Sequence, residues 1–158
     1  MKKVFSKGDV DRLLAEQRVL QKEKQLHSQF MLRSLTIYNG QKKRAADAKT
    51  VLQFTIEEFR SWLLPRIGTI CECGVKITLK NLAVDHVVPI ARGGAFDLAN
   101  LNVLCKSSNF RKGQLLPDEF DALCAFAREK LSAESREDLW RRLTLGGKWT
   151  RTLGTYAR

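Results

Sequence analysis

Apolar residues along the chain fall into a helical pattern at each end and a strand-like pattern between them. From residue 9 to about 35 there is no Gly or Pro, and Val10, Leu13, Leu14, Val19, Leu20, Leu26, Phe30 and Met31 recur at roughly helical spacing between Lys, Glu and Gln. This predicts a helix with an uneven apolar stripe, opening after an Asp9 cap. Asn39-Gly40 predicts a turn, and the basic run QKKRAADAK beyond it reads equally as a phosphate contact or a solvated linker. A second helix is predicted from Thr55, with Glu58 closing a capping box, Phe54 stapled onto Phe59, and a stop or bend near Pro65. Ile56, Phe59, Leu63 and Leu64 make its apolar face. Residues 67–83 read as a turn and short strands around Cys-Glu-Cys-Gly, and residues 84–113 as two apolar runs separated by a Gly-Gly turn and followed by a short basic helix. Pro117, with Asp118 and Glu119 behind it, opens a further helix whose apolar face is Phe120, Leu123, Cys124, Phe126, Ala127 and Leu131. A last helix is expected over about 133–144, ending at Gly146-Gly147. The tail KWTRTLGTYAR is expected as a strand pair or an ordered arm.

The length of 158 residues suits one domain with an added helical arm, and 44% apolar with 28% charged residues is ordinary for a globular chain. Charge changes the picture. Lys and Arg number 28 against 17 acids, a net +11, which favours a polyanionic partner, nucleic acid first. Residues 1–50 hold twelve bases and five acids, and the last eighteen residues hold Arg141, Arg142, Lys148, Arg151 and Arg158 with no acid. Both ends are therefore candidate phosphate-contacting arms. No apolar run approaches a membrane span and MKKVFSKGDVDRLL has no signal-like core, so a cytoplasmic protein without a membrane partner is expected. Four cysteines, two of them one residue apart, suit reduced thiols or metal ligation better than a secreted disulfide framework.

Candidate chemistry concentrates in VDHVVPIARGGAFDLANLNVLCKSSNFRKG, Val84 to Gly113. Cutting a phosphodiester needs an activated water, a cation on the phosphate and help for the departing oxygen. His86, one of two histidines, is mostly neutral at pH 7, as a general base must be. Asp85 offers a hard oxygen for Mg²⁺ and Asn109 a second oxygen from a helix capped by Ser107 or Ser108. Neighbours on a strand point to opposite faces, so the backbone must bend or end at this pair if both are to serve one site. His27 on the first helix is given no role.

The order Cys-Gly, Asp-His, Pro, Gly-Gly, Asn-Leu, Leu-Cys, Asn, Lys-Gly over about residues 70–114 resembles the HNH (ββα-metal) endonuclease family. The resemblance implies an α+β fold, a small ββα-metal core with flanking helices, and divalent-metal-dependent hydrolysis of DNA. By it, His86 is the general base, Asp85 and Asn109 hold one Mg²⁺ or Mn²⁺, Asn100 braces the loop and orients the histidine, and Arg92, Arg111 and Lys112 contact nucleic acid. The last motif residue, often His in the family, is Asn109 here, a variant similar to the HNH domains of RNA-guided nucleases. Where many members carry two CxxC pairs for structural zinc, this chain has Cys71, Cys73 and Cys105, with Ser108 where a fourth thiolate would stand. That predicts a degenerate zinc site whose cysteines pack as small apolar residues. The expected divisions are a basic helical arm (1–50), the nuclease core (51–132), and a C-terminal helix with a basic tail (133–158). The chain suits a free-standing phage or bacterial nuclease, monomeric or homodimeric. The competing reading is a nucleic-acid-binding module that keeps the fold without catalysis, and a weaker one is a zinc-ribbon-like adaptor.

Overall fold

The structure, a computed structural model, describes residues 6–153 with 155 and 156, and only the backbone of Asp9, Thr150 and Leu153. Arg158 of the basic tail lies outside the described residues. Helix α1 runs unbroken over Lys7–Asp47, about 60 Å at 1.5 Å per residue. It opens two residues before Asp9, so that residue is not the cap. It also passes straight through Asn39-Gly40, where a turn was expected. The override is tertiary. Ser34, Gln41 and Ala45 are buried, with Tyr38 half-buried between them, and together they form a stripe at helical spacing that packs against helix α2, Ile56–Leu63. Arg60 of α2 donates to the Ser34 hydroxyl at 3.1 Å, and Tyr38 Oη to the Phe54 carbonyl at 3.4 Å. One Gly in a helix interior costs about 1 kcal/mol against Ala, which such packing outweighs.

The helix ends instead at Asp47, and the chain turns away at Lys49, with φ at 56°. Its N–H reaches the Ala46 carbonyl, and the Thr50 N–H reaches that of Ala45, each at 2.9 Å. These are the two bonds of a Schellman stop, with a lysine in the left-handed position usually held by glycine. Residues 10–29 of α1 are all exposed, including Val10, Leu13, Leu14, Val19, Leu20 and Leu26. The stripe from Val10 to Leu26 thus stays in solvent, while Phe30 and Met31 at its end are half-buried and Phe30 packs against the core.

Helix α2 carries the expected capping box, with Phe54 stacked on Phe59 at 5.8 Å, and it gives way to a 3₁₀ turn at Leu64–Arg66 around Pro65. Strands β1 (Leu82–His86) and β2 (Leu101–Cys105) pair antiparallel, with Asp85 opposite Asn102 and His86 opposite Leu101. Helix α3 (Lys106–Lys112) follows β2 directly and packs on both strands, completing the ββα unit. The fold is α+β, a small ββα core with flanking helices, as expected.

Helix α4 (Pro117–Lys130) starts at Pro117, helix α5 spans Ala133–Thr144, and the tail forms a short helix α6, Trp149–Leu153, rather than strands. Trp149 explains the helix: it is buried against Phe120 and Trp140, and its Nε1 donates to the Arg111 carbonyl at 2.6 Å. On α4, Phe126 is exposed and leaves the apolar face that Phe120 and Ala127 bury. One apolar cluster joins Phe54, Phe59, Leu63, Ile77 and the strands. A second joins Phe120, Ala127, Leu139, Leu143 and Trp149.

Candidate active site and its supports

Residues Leu82 to His86 alternate between buried and half-buried, which puts His86 on the core face and Asp85 on the other. The strand ends at His86, and the chain bends at Val87 and Val88 before Pro89. Asn100 holds that bend. Its Oδ1 accepts the Val88 N–H at 2.8 Å, and its Nδ2 donates to the carbonyls of Val88 (3.0 Å) and Ala95 (2.9 Å). Its own N–H donates to Asp97 Oδ1 at 2.7 Å, and its carbonyl accepts the Val87 N–H at 2.8 Å. A single amide thus ties both ends of the 87–100 loop. Gly94 is part of the same knot: a Cβ there would lie 1.9 Å from the Val88 carbonyl oxygen and 2.8 Å from Asn100 Nδ2. The second Gly of Gly-Gly is therefore required by close approach.

His86 is 5% exposed, with the Phe96 ring edge-on at 5.4 Å. Its Nε2 is sealed from solvent and has no hydrogen-bond partner among the described residues. Burial, then the positive charges of Arg44 and Lys112, push the imidazole below its ordinary pKa of 6.5, while Asp85 pulls the other way. The ring is held neutral. Arg44 reaches this neighbourhood from the last turn of α1, far from the motif in sequence.

Lys112 does not point to solvent as a phosphate contact would. It is 6% exposed, its Nζ lies 2.7 Å from Asp85 Oδ2, and it donates to the His86 carbonyl at 3.0 Å. Asn109 stands three residues earlier, half-buried on an adjacent part of the same helix, which packs on β1, β2 and α5. Asp85, His86 and Lys112 are therefore gathered at the end of β1, within reach of the charge of Arg44, with Asn109 on the helix that carries Lys112.

The stretch 71–122 matches the family model of the HNH endonucleases. The match supports an HNH assignment for this segment. It suggests nuclease activity in general and implies nucleic acid as the partner, and domains of this family bind a metal. No curated protein and no solved structure matches the chain. Among the described residues no helix is long and apolar enough to cross a membrane.

Beside its motif residues this segment carries a second cluster. The sulfurs of Cys71, Cys73 and Cys105 all lie within 4.8 Å of one another, a group that could hold a metal ion. Ser108 occupies the fourth corner, its Oγ 3.4 Å from Cys71 Sγ and 3.5 Å from Cys105 Sγ. Cys105 also caps α3 by accepting the Ser108 N–H at 3.4 Å. Ser107 and Ser108 are therefore not the cap: α3 starts immediately after β2, so both already lie in its first turn. Cys71 and Cys105 are buried and Cys73 is exposed. Cys124 stays outside the cluster, on α4.

The two arginines proposed from the motif are engaged within the protein. Arg92 is exposed and ion-paired with Glu119 of α4. Arg111 lies over the Trp140 ring at 5.7 Å and donates to Thr144 Oγ1 at 3.4 Å. Arg44 was visible in the sequence only as part of a basic run, because its approach to His86 depends on α1 continuing past Gly40.

Proposed function

We propose that the protein is a divalent-metal-dependent DNA endonuclease working by a one-metal, histidine-base route. The observation that carries the reading is a buried His86 whose Nε2 has no partner among the described residues, next to a carboxylate in the chain and followed by a bend that Asn100 ties down. The donor chemistry fits a hard ion: Asp85 supplies a carboxylate oxygen and Asn109 an amide oxygen, leaving the other positions to water and phosphate. Bound there, Mg²⁺ or Mn²⁺ would supply Lewis-acid charge to the scissile phosphate and its departing oxygen. His86 takes the proton of the attacking water, and its lowered pKa keeps it in the form that can do so. Phe96 and the Asn100 bonds hold the ring and its backbone in one place. Arg44 approaches a phosphate from the α1 side. The thiol cluster, loaded or not, joins the loop around Cys73 to β2 and α3 and has a structural part in this reading.

The test is plasmid cleavage with Mg²⁺ or Mn²⁺ by the wild type and by His86→Ala, with EDTA as control. Nicked or linear product from the wild type is expected, with the rate lost by about 10²–10⁴-fold in the variant, the usual contribution of a positioned base. Equal DNA binding by both proteins with cutting by neither would replace this reading with the binding module.

A further inference from the structure

Lys112 is a buried cation at a carboxylate that the reading above assigns to a metal. The side chain leaves the last turn of α3 and places its ammonium 2.7 Å from Asp85 Oδ2, an oxygen sealed from solvent. The second bond, to the His86 carbonyl at 3.0 Å, fixes the ammonium at the end of β1. Both side chains are mostly buried, Lys112 at 7% and Asp85 at 15% exposure. A carboxylate in such a place needs a positive partner, because a buried charge left alone is strongly destabilising. A divalent ion at the same carboxylate meets that need too, but it must share Asp85 with an ammonium already in place, and like charges at this range repel.

We infer that Lys112 is the resident counter-cation of Asp85: it stabilises the carboxylate when no metal is bound and thereby weakens divalent-metal binding. The inference rests on the reading of Asp85 as a metal ligand. A lysine that serves only packing would lower stability on removal and leave metal affinity alone. Removal of a counter-cation lowers stability only in the absence of metal, and it strengthens metal binding.

The experiment measures Mn²⁺ binding directly, by the spin-resonance signal of free Mn²⁺, for the wild type, Lys112→Met, Lys112→Arg and Asp85→Asn. Lys112→Met should bind about tenfold more tightly, a conservative figure for removing one charge beside a divalent ion. Lys112→Arg, which keeps the charge, should stay within about twofold of the wild type. In EDTA, Lys112→Met should melt below the wild type, and Mn²⁺ should raise its Tm by more than it raises that of the wild type. If Lys112→Met does not fold, Lys112→Gln, which retains a donor for the His86 carbonyl, carries the same comparison. If Asp85→Asn loses Mn²⁺ binding while the uncharged Lys112 variants bind no tighter than the wild type, the counter-cation is overturned and the metal reading stands. If Asp85→Asn binds Mn²⁺ as the wild type does, Asp85 is not a ligand and both fall.

Discussion

Cys73 and Cys105 hold their sulfurs 3.4 Å apart, yet their environments set them to different tasks. Burial raises the Cys105 thiol, which is enclosed beneath α3 as its cap. Burial acts on Cys73 as well, but bonds from the Ser108 hydroxyl, the Val75 backbone, Cys105 and Cys71 outweigh it and bring the thiol down to about 7. Since the thiolate is the reacting form, iodoacetamide at pH 7 should alkylate Cys73 first. Cys71 and Cys105 should label only on unfolding, and mass spectrometry of timed samples would follow the order. Equal labelling of the three in the native protein would contradict the arrangement. The three cysteines and Ser108 were legible from motif spacing, but the difference between thiols was not, because it depends on exposure and on partners more than thirty residues away. Lys112 shows the same limit. A lysine beside Arg111 on a basic helix reads as a phosphate contact until packing turns it inward to Asp85.

Local signals were strongest where an element's boundary depends on its own residues. Thr55 accepts the Glu58 N–H at 3.2 Å, and Glu58 Oε2 accepts the Thr55 N–H at 2.7 Å, the reciprocal box read from the chain. Thr55→Ala should cost about 1 kcal/mol in urea unfolding at neutral pH, the usual loss on deleting such a cap. The Thr55 bonds also hold the Glu58 carboxyl below its ordinary value. A depressed folded-state pKa gives stability above the unfolded value, near 4.5, and loses it as pH falls through the folded value. The deficit of Thr55→Ala should therefore shrink in acid. An unchanged deficit at low pH would mean that the bond from the Thr55 hydroxyl to the Glu58 carboxylate contributes nothing, since the backbone N–H bond survives in the variant. Helix α1 failed as a local reading for the opposite reason. Its packing stripe of Ser34, Tyr38, Gln41 and Ala45 carries little apolar signal, while its apolar residues from Val10 to Leu26 face solvent. Asn39-Gly40 then looked like the end of a helix that the contact with α2 carries on to Asp47.

For the molecule as a whole, a net charge of +11 makes nucleic-acid binding steeply salt-dependent in this reading. Arg44 is exposed and near His86, so Arg44→Ala should weaken DNA binding and reduce the salt slope by about one, as removal of one phosphate contact does. Fluorescence anisotropy across a salt series measures it, and an unaltered slope would remove Arg44 from the interface. Arg92 and Arg111 already have partners in Glu119 and in Trp140 with Thr144, so the sign and size of the charge do not say which bases are free to meet a phosphate. The order Asp85, His86, Asn100, Asn109 and the paired strands around it could be read in the chain, because each depends on neighbours a few residues away or on a motif with set spacing. What came only from the tertiary structure was the company those residues keep: Arg44 brought in by an uninterrupted α1, Lys112 buried against Asp85, and a tail folded as helix by Trp149. Those contacts join segments distant in sequence through packing and burial, and neither leaves a periodic mark on the chain.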